Sequence, residues 1–229
     1  MATDKTFRHI DHPVEKAVGE YLDTHLYCKP PFDSFERILD NGMQRKGVDI
    51  IVSSNLLNVN KGRIDEKCTA HYVNKNIPTF AFEIGSFQNG KWREGWLFND
   101  DYQTEYYLLL WPQAQLQEEE KDKIAPRFDC KDITSITFYL VPRTAIIKYL
   151  EEHGINKARA LKAEEYYRSN NAVKDSDEHN RLKEITKQMG DFYFSLTDSP
   201  KNGGLGERPF NVLLYRKVLK SLAIYMGVC

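Results

Sequence analysis

The chain has 229 residues, 41% of them hydrophobic and 28% charged, with a formal net charge of -1. That balance excludes a disordered or fibrous chain and supplies apolar side chains for one fair-sized domain, while no apolar run reaches the roughly 20 residues of a membrane span. Near-neutrality also counts mildly against nucleic-acid binding by bulk charge alone, so any polyanion must be met by a local patch.

The opening MATDKTFRHIDHP has no basic start followed by an apolar stretch and no small-residue cleavage site, which gives no sign of export. Cys28, Cys68, Cys130 and Cys229 are scattered without a CxxC pair, a pattern of reduced thiols and not of a zinc site or a disulfide frame. A cytoplasmic protein is expected, with no membrane partner.

Val14, Ala17, Val18, Tyr21 and Leu22 recur at helical spacing and predict a helix from His12 to about Leu26, with Asp11 as its cap and Pro13 in its first turn. Beyond Lys29-Pro30-Pro31 come short runs rich in β-branched and aromatic residues: FERIL, VDIIVS, RIDEKCTAHY, TFAFEIGSF, KWREGWLF and TEYYLLLW. These predict strands. Asp40-Asn41-Gly42, Asn60-Lys61-Gly62 and Asn89-Gly90 mark turns between them, the last as a two-residue hairpin loop.

The polar piece QLQEEEKDKIAPRFDCKD predicts a surface excursion before a further strand, ITFYLV, which feeds a helix ending near Gly154. Residues 156 to 189 read as charged helix interrupted at Ser169-Asn170-Asn171. DFYFSL and FNVLLY follow as strands, and a closing helix starts near Lys217. The fold class is α+β: an N-terminal helix and a central mixed or antiparallel sheet flanked by helices. One domain over residues 1–229 is expected, with its core at about 10–112 and an elaboration over about 130–229.

Chemistry concentrates between Gly47 and Tyr72. Asp49 stands in an oily run beside Val48, Ile50, Ile51 and Val52, where a lone carboxylate is costly to desolvate unless a cation, an arginine such as Arg45 or a set of donors meets it. Strand alternation puts Asp65, Lys67 and Thr69 on one face and Ile64, Glu66, Cys68 and Ala70 on the other. Pairing of the Asp49 strand with the Asp65 strand as a hairpin would bring two carboxylates and an ammonium together. Such oxygen ligands suit Mg²⁺ or Mn²⁺, and a charged lysine can orient water and stabilise charge building on phosphorus. That set of parts describes phosphodiester hydrolysis.

Asp49, a gap and then Asp65-Glu66-Lys67 on the next strand, preceded by a helix, resembles the PD-(D/E)XK nuclease superfamily with its restriction-endonuclease-like core. The resemblance covers about the first 75 residues. It implies that Asp49 and Asp65 are metal ligands for Mg²⁺ or Mn²⁺, that the Glu66 backbone carbonyl completes the metal shell, and that Lys67 is the catalytic lysine. Glu15, or else Glu20, stands where many members carry an assisting acid. It also implies nucleic acid as partner, DNA ahead of RNA, and allows a homodimer for cutting both strands. Position 48 holds Val where the name-giving motif has Pro, and Thr69 stands where several branches carry Gln.

Simpler readings compete with these. Asp49 is then a buried structural aspartate, and Asp65-Glu66-Lys67 the charged alternation of an edge strand. Glu83 is a solvent-facing residue or a further ligand, and the aromatics Trp92, Trp96, Tyr106, Tyr107 and Trp111 are packing residues before they are base-stacking ones. The histidines lack metal-ligand spacing, and GGLGE at 203–207 lacks the Lys-Ser/Thr of a phosphate loop. The rival function is a non-catalytic nucleic-acid- or protein-binding module on the same fold.

Overall fold

In the computed structural model, residues 8–88, 91–123, 126–197 and 208–229 are described. The expected Asn89-Gly90 turn and the GGLGE segment lie outside them. The described residues form two compact units, one of residues 8–77, 101–143 and 220–229 and the other drawn from residues 78–100 and 144–219. Residues 78–100, inside the stretch expected as one core, thus belong with the second half of the chain.

The first unit holds a helix α1 (Arg8–Leu22), a short α2 (Asn41–Gln44) and six strands: β1 (Ser34–Arg37), β2 (Ile50–Ser54), β3 (Val59–Cys68), β6 (Tyr106–Ala114), β7 (Ile133–Pro142) and β10 (Tyr225–Val228). They form one sheet in the order β1-β2-β3-β6-β7-β10. β3 and β6 run parallel and the other pairs antiparallel. The second unit holds β4 (Thr79–Gln88), β5 (Lys91–Glu94), β8 (Phe192–Leu196) and β9 (Phe210–Tyr215) as an antiparallel sheet, with α3 (Arg143–Glu152), α4 (Lys157–Ser169) and α5 (Asp177–Met189). α6 (Arg216–Leu222) follows β9. The class is α+β with mainly antiparallel sheets, but there are two sheets where one was expected.

Helical spacing puts Val14, Val18, Tyr21 and Leu22 of α1 on one stripe, and they bury against Ile50, Val52, Ile64, Leu108, Leu110, Phe138 and Leu140 from one face of the first sheet. Fully burying an aliphatic side chain of this kind contributes about 1.5–3 kcal/mol. That packing fixes which face of β2 and β3 is apolar and leaves Asp49 and Asp65 to the other. α1 begins at Arg8, ahead of the expected Asp11 cap, and at Asp23 it widens into a π turn, Asp23–Tyr27, in place of continued α-helix.

The Asn60-Lys61-Gly62 signal does not terminate a strand. The β2–β3 turn lies at 55–58, and Lys61, with φ 49°, takes up a bulge where the register shifts between Val52 and Ser54. In the second unit α4 buries Glu164, whose Oε1 accepts from Arg168 Nε at 2.8 Å, Arg168 Nη2 at 2.6 Å and Trp92 Nε1 at 3.1 Å. No described helix is long and apolar enough to cross a membrane.

Candidate active site on β2 and β3

Antiparallel register pairs Ile50 with Ile64, so Asp49, one residue earlier, and Asp65, one residue later, stand across from each other on the opposite face. The Asp49 amide donates to the Ile64 carbonyl at 2.9 Å, and the Asp49 Oδ2 accepts from the Glu66 amide at 2.8 Å. Lys67, two residues beyond Asp65, shares its face, and its Nζ lies 2.7 Å from Asp65 Oδ1. The sequence therefore placed all three groups on the face where they are found, and Asp49 takes its donor from the β3 backbone.

Exposure divides the trio. The Asp65 side chain is 2% exposed and that of Lys67 29%, and Asp49 is half-buried, so Asp65 lies deepest of the three. Asp65 Oδ2 is buried with no N–H or hydroxyl donor among the described residues, and the facing Asp49 carboxyl bonds Asp65 only while one of the two holds a proton. An acceptor in that position is an uncompensated cost. Burial, and next the charge of Asp65, push Asp49 up to about 6 against the pull of Lys67 and the Glu66 amide. Burial raises Asp65 as well, although Lys67 opposes it. Lys67 moves upward because Asp65 and Asp49 outweigh its own desolvation, so at neutral pH it is an ammonium: a donor and a charge stabiliser, not a base.

The walls come from residues that the sequence does not assign to the site. Gly47, with φ 71°, brings its backbone against Asp65 Oδ2, Thr104 Oγ1 and the Tyr102 ring, leaving no room for a Cβ. Thr104 Oγ1 donates to the Gly47 carbonyl at 2.7 Å. Tyr107, fully buried, is the parallel partner of Asp65, and Asp65 and Tyr102 add to burial in raising its phenol while Arg143 opposes them. The Arg143 guanidinium donates to the Tyr102 carbonyl at 3.2 Å through Nη1. Only the positive φ at Gly47 had a readable signal, a glycine directly before the oily run.

Glu66 turns to the helix face. Its Oε1 accepts from Tyr27 Oη at 2.8 Å and from Arg37 Nη2 at 3.1 Å, and its Oε2 from Arg37 Nη1 at 2.9 Å. The same Arg37 grips Asp23 at 2.7 Å. The Glu66 carboxylate is thus committed elsewhere, and its backbone carbonyl is the atom the resemblance assigns to a metal.

Glu15 is exposed on α1, and Glu20 is exposed with an ion pair to Lys16 at 3.7 Å. Asp23, in the π turn after α1, bonds Arg37 of β1. Glu83 lies on β4 in the second unit, where Ser86 Oγ is 3.4 Å from its Oε1. Trp111 and Tyr107 are buried packing residues, and Trp92 bonds Glu164.

Among the described residues no three His, Cys, Asp or Glu side chains converge as a metal cage. Two facing carboxylates, one with a buried lone acceptor, still match a hard divalent ion that keeps water and substrate oxygens in its shell. A cation would relieve the repulsion that raises Asp49. Comparisons with family models, curated proteins and solved structures return no match.

Proposed function

We propose that the first unit is a restriction-endonuclease-like core and that the protein is a metal-dependent nuclease of the PD-(D/E)XK type, hydrolysing phosphodiester bonds of nucleic acid, DNA ahead of RNA. The observation that carries this reading is the convergence of Asp49, Asp65 and Lys67 on one sheet face, with the buried Asp65 Oδ2 lacking an N–H or hydroxyl donor among the described residues. The order of parts, a helix and then an antiparallel strand pair bearing an acid and Asp-Glu-Lys, supports the same assignment.

In this reading Asp49 and Asp65 would hold Mg²⁺ or Mn²⁺ together with the Glu66 carbonyl. When bound, the ion supplies Lewis-acid charge at the scissile phosphate. Lys67, held as an ammonium, donates a hydrogen bond to the attacking water and then faces the negative charge that develops on phosphorus. The water oxygen would bond to phosphorus as the ester P–O bond breaks, the water giving up its proton to solvent and the leaving oxygen taking one from solvent to depart as a hydroxyl. Gly47, Thr104 and Tyr102 close the buried side of the site, so charge there is poorly screened by solvent.

The test is incubation of plasmid, single-stranded DNA and RNA with the protein in Mg²⁺ or Mn²⁺. Wild type is expected to cut at least one, and Asp65→Ala and Lys67→Ala to lose at least a hundredfold in rate, the order that removal of a preorganised charge-stabilising group costs, while keeping their melting temperatures near wild type. A second reading is favoured by one feature: Lys67 already closes on Asp65 at 2.7 Å, as a structural ion pair does. It makes the same surface a non-catalytic nucleic-acid or protein binder. Binding without cutting in either metal selects it.

A further inference from the structure

We infer that Arg37, on the opposite face of the sheet, is a positioning residue for Asp49, acting through Glu66; the inference rests on the nuclease reading for its consequence in metal binding, not for its geometry. Glu66 is the hinge between the two faces. Its amide donates to Asp49 Oδ2 at 2.8 Å, and its side chain is gripped by Arg37 at 2.9 Å and 3.1 Å and by Tyr27 at 2.8 Å. Both neighbours of Glu66 in sequence, Asp65 and Lys67, point to the site face.

Fixing the Glu66 side chain therefore fixes the peptide that orients one acid and the strand segment that carries the other two groups. Arg37 is itself set twice. It pairs in register with Ile50, next to Asp49, and its Nε and Nη2 fork holds Asp23 at 2.7–3.0 Å. Asp23 and Tyr27 open and close the π turn that follows α1, so one local widening of the helix delivers both of its contributions to the network. Gly19 lets the guanidinium lie close to the helix: a Cβ there would stand 3.3 Å from Arg37 Cζ. A planar, doubly bidentate clamp of this sort is specific to arginine.

Arg37→Lys keeps the charge and loses the fork. In this variant the Glu66 amide proton is expected to move upfield in a ¹⁵N-resolved NMR spectrum and to exchange faster, and Asp49→Ala, which leaves Arg37 untouched, is expected to shift the same amide. Mn²⁺ binding measured by calorimetry is expected to weaken about tenfold in Arg37→Lys, the lower range for losing a group that orients a metal ligand. Arg168→Lys, which breaks the Glu164 pair in the other unit, serves as the control for general loosening and is expected to move neither readout.

If Arg37→Lys does not fold, Tyr27→Phe removes one hydrogen bond to Glu66 and is expected to give a smaller shift of the same sign. An unchanged Glu66 amide in a folded Arg37→Lys overturns the inference. Absence of Mn²⁺ binding in wild type overturns the nuclease reading instead, and the amide then decides the positioning role alone.

Discussion

Asp65 and Glu66 are consecutive residues of one strand, both largely buried, and the sheet gives them opposite fates. On the helix face, Glu66 has both oxygens filled by Arg37 and Tyr27. On the other face, Asp65 has one oxygen filled by Lys67 and the second left with no N–H or hydroxyl donor, facing the Asp49 carboxyl, which bonds it only while one of the two acids holds a proton. A buried carboxylate with matched donors is a structural element; one that is half-matched and set against a second acid stores a demand for positive charge. That contrast divides β3 into a face with its charges matched and a face with them crowded.

The largest expected effect comes from breaking the matched side. Glu66→Ala strands the Arg37 guanidinium, and removing one partner of a buried pair costs about 3–5 kcal/mol, with the lower end expected because Asp23 still holds Arg37. Urea unfolding monitored by tryptophan fluorescence checks it. Asp65→Ala is expected to cost far less, since it also removes the repulsion on Asp49. If the two variants lose equal stability, the contrast between the faces is wrong.

A smaller effect sharpens the half-matched side. Asp49 has its folded pKa raised to about 6, so it favours the folded state at low pH, and that contribution is lost as pH rises through about 6. From an ordinary carboxylate value of about 3.9 the shift corresponds to on the order of 3 kcal/mol. The raised Asp65 and Glu66 act in the same direction. His179, buried beside Tyr167 in the second unit, acts in the opposite one: its folded pKa is depressed, by burial first, so its contribution is lost as pH falls below the usual imidazole range. Melting temperatures of the metal-free protein between pH 4.5 and 8 are therefore expected to slope less steeply with pH in Asp49→Asn than in wild type. An identical slope in the two contradicts the crowding of Asp49.

Much of the site was legible because it depends on short-range rules. Period-two alternation put Asp65 and Lys67 on one face, and the oily run around Asp49 marked a carboxylate that needs a partner. Register and remote partners were not. Arg37 comes from an edge strand, and Asp23 from a π turn that helical periodicity reads as plain helix. Nothing local in the sequence links either to Glu66. The separation into two sheets escaped for the same reason: β3 pairs with β6 and passes over β4 and β5, a choice made by tertiary packing among strands that look alike. β10 was missed because it is a four-residue edge pairing with β7, and Lys61 accepted a left-handed bulge where a turn was read.

The most direct measurement is calorimetric titration of Mn²⁺ into metal-free wild type and Asp65→Asn at pH 7.5, above the value of about 6 to which Asp49 is raised. One ion per chain in wild type, with binding lost in Asp65→Asn, is the expected result. No heat in wild type, or equal affinity in the two proteins, contradicts the claim that these facing carboxylates hold a divalent cation.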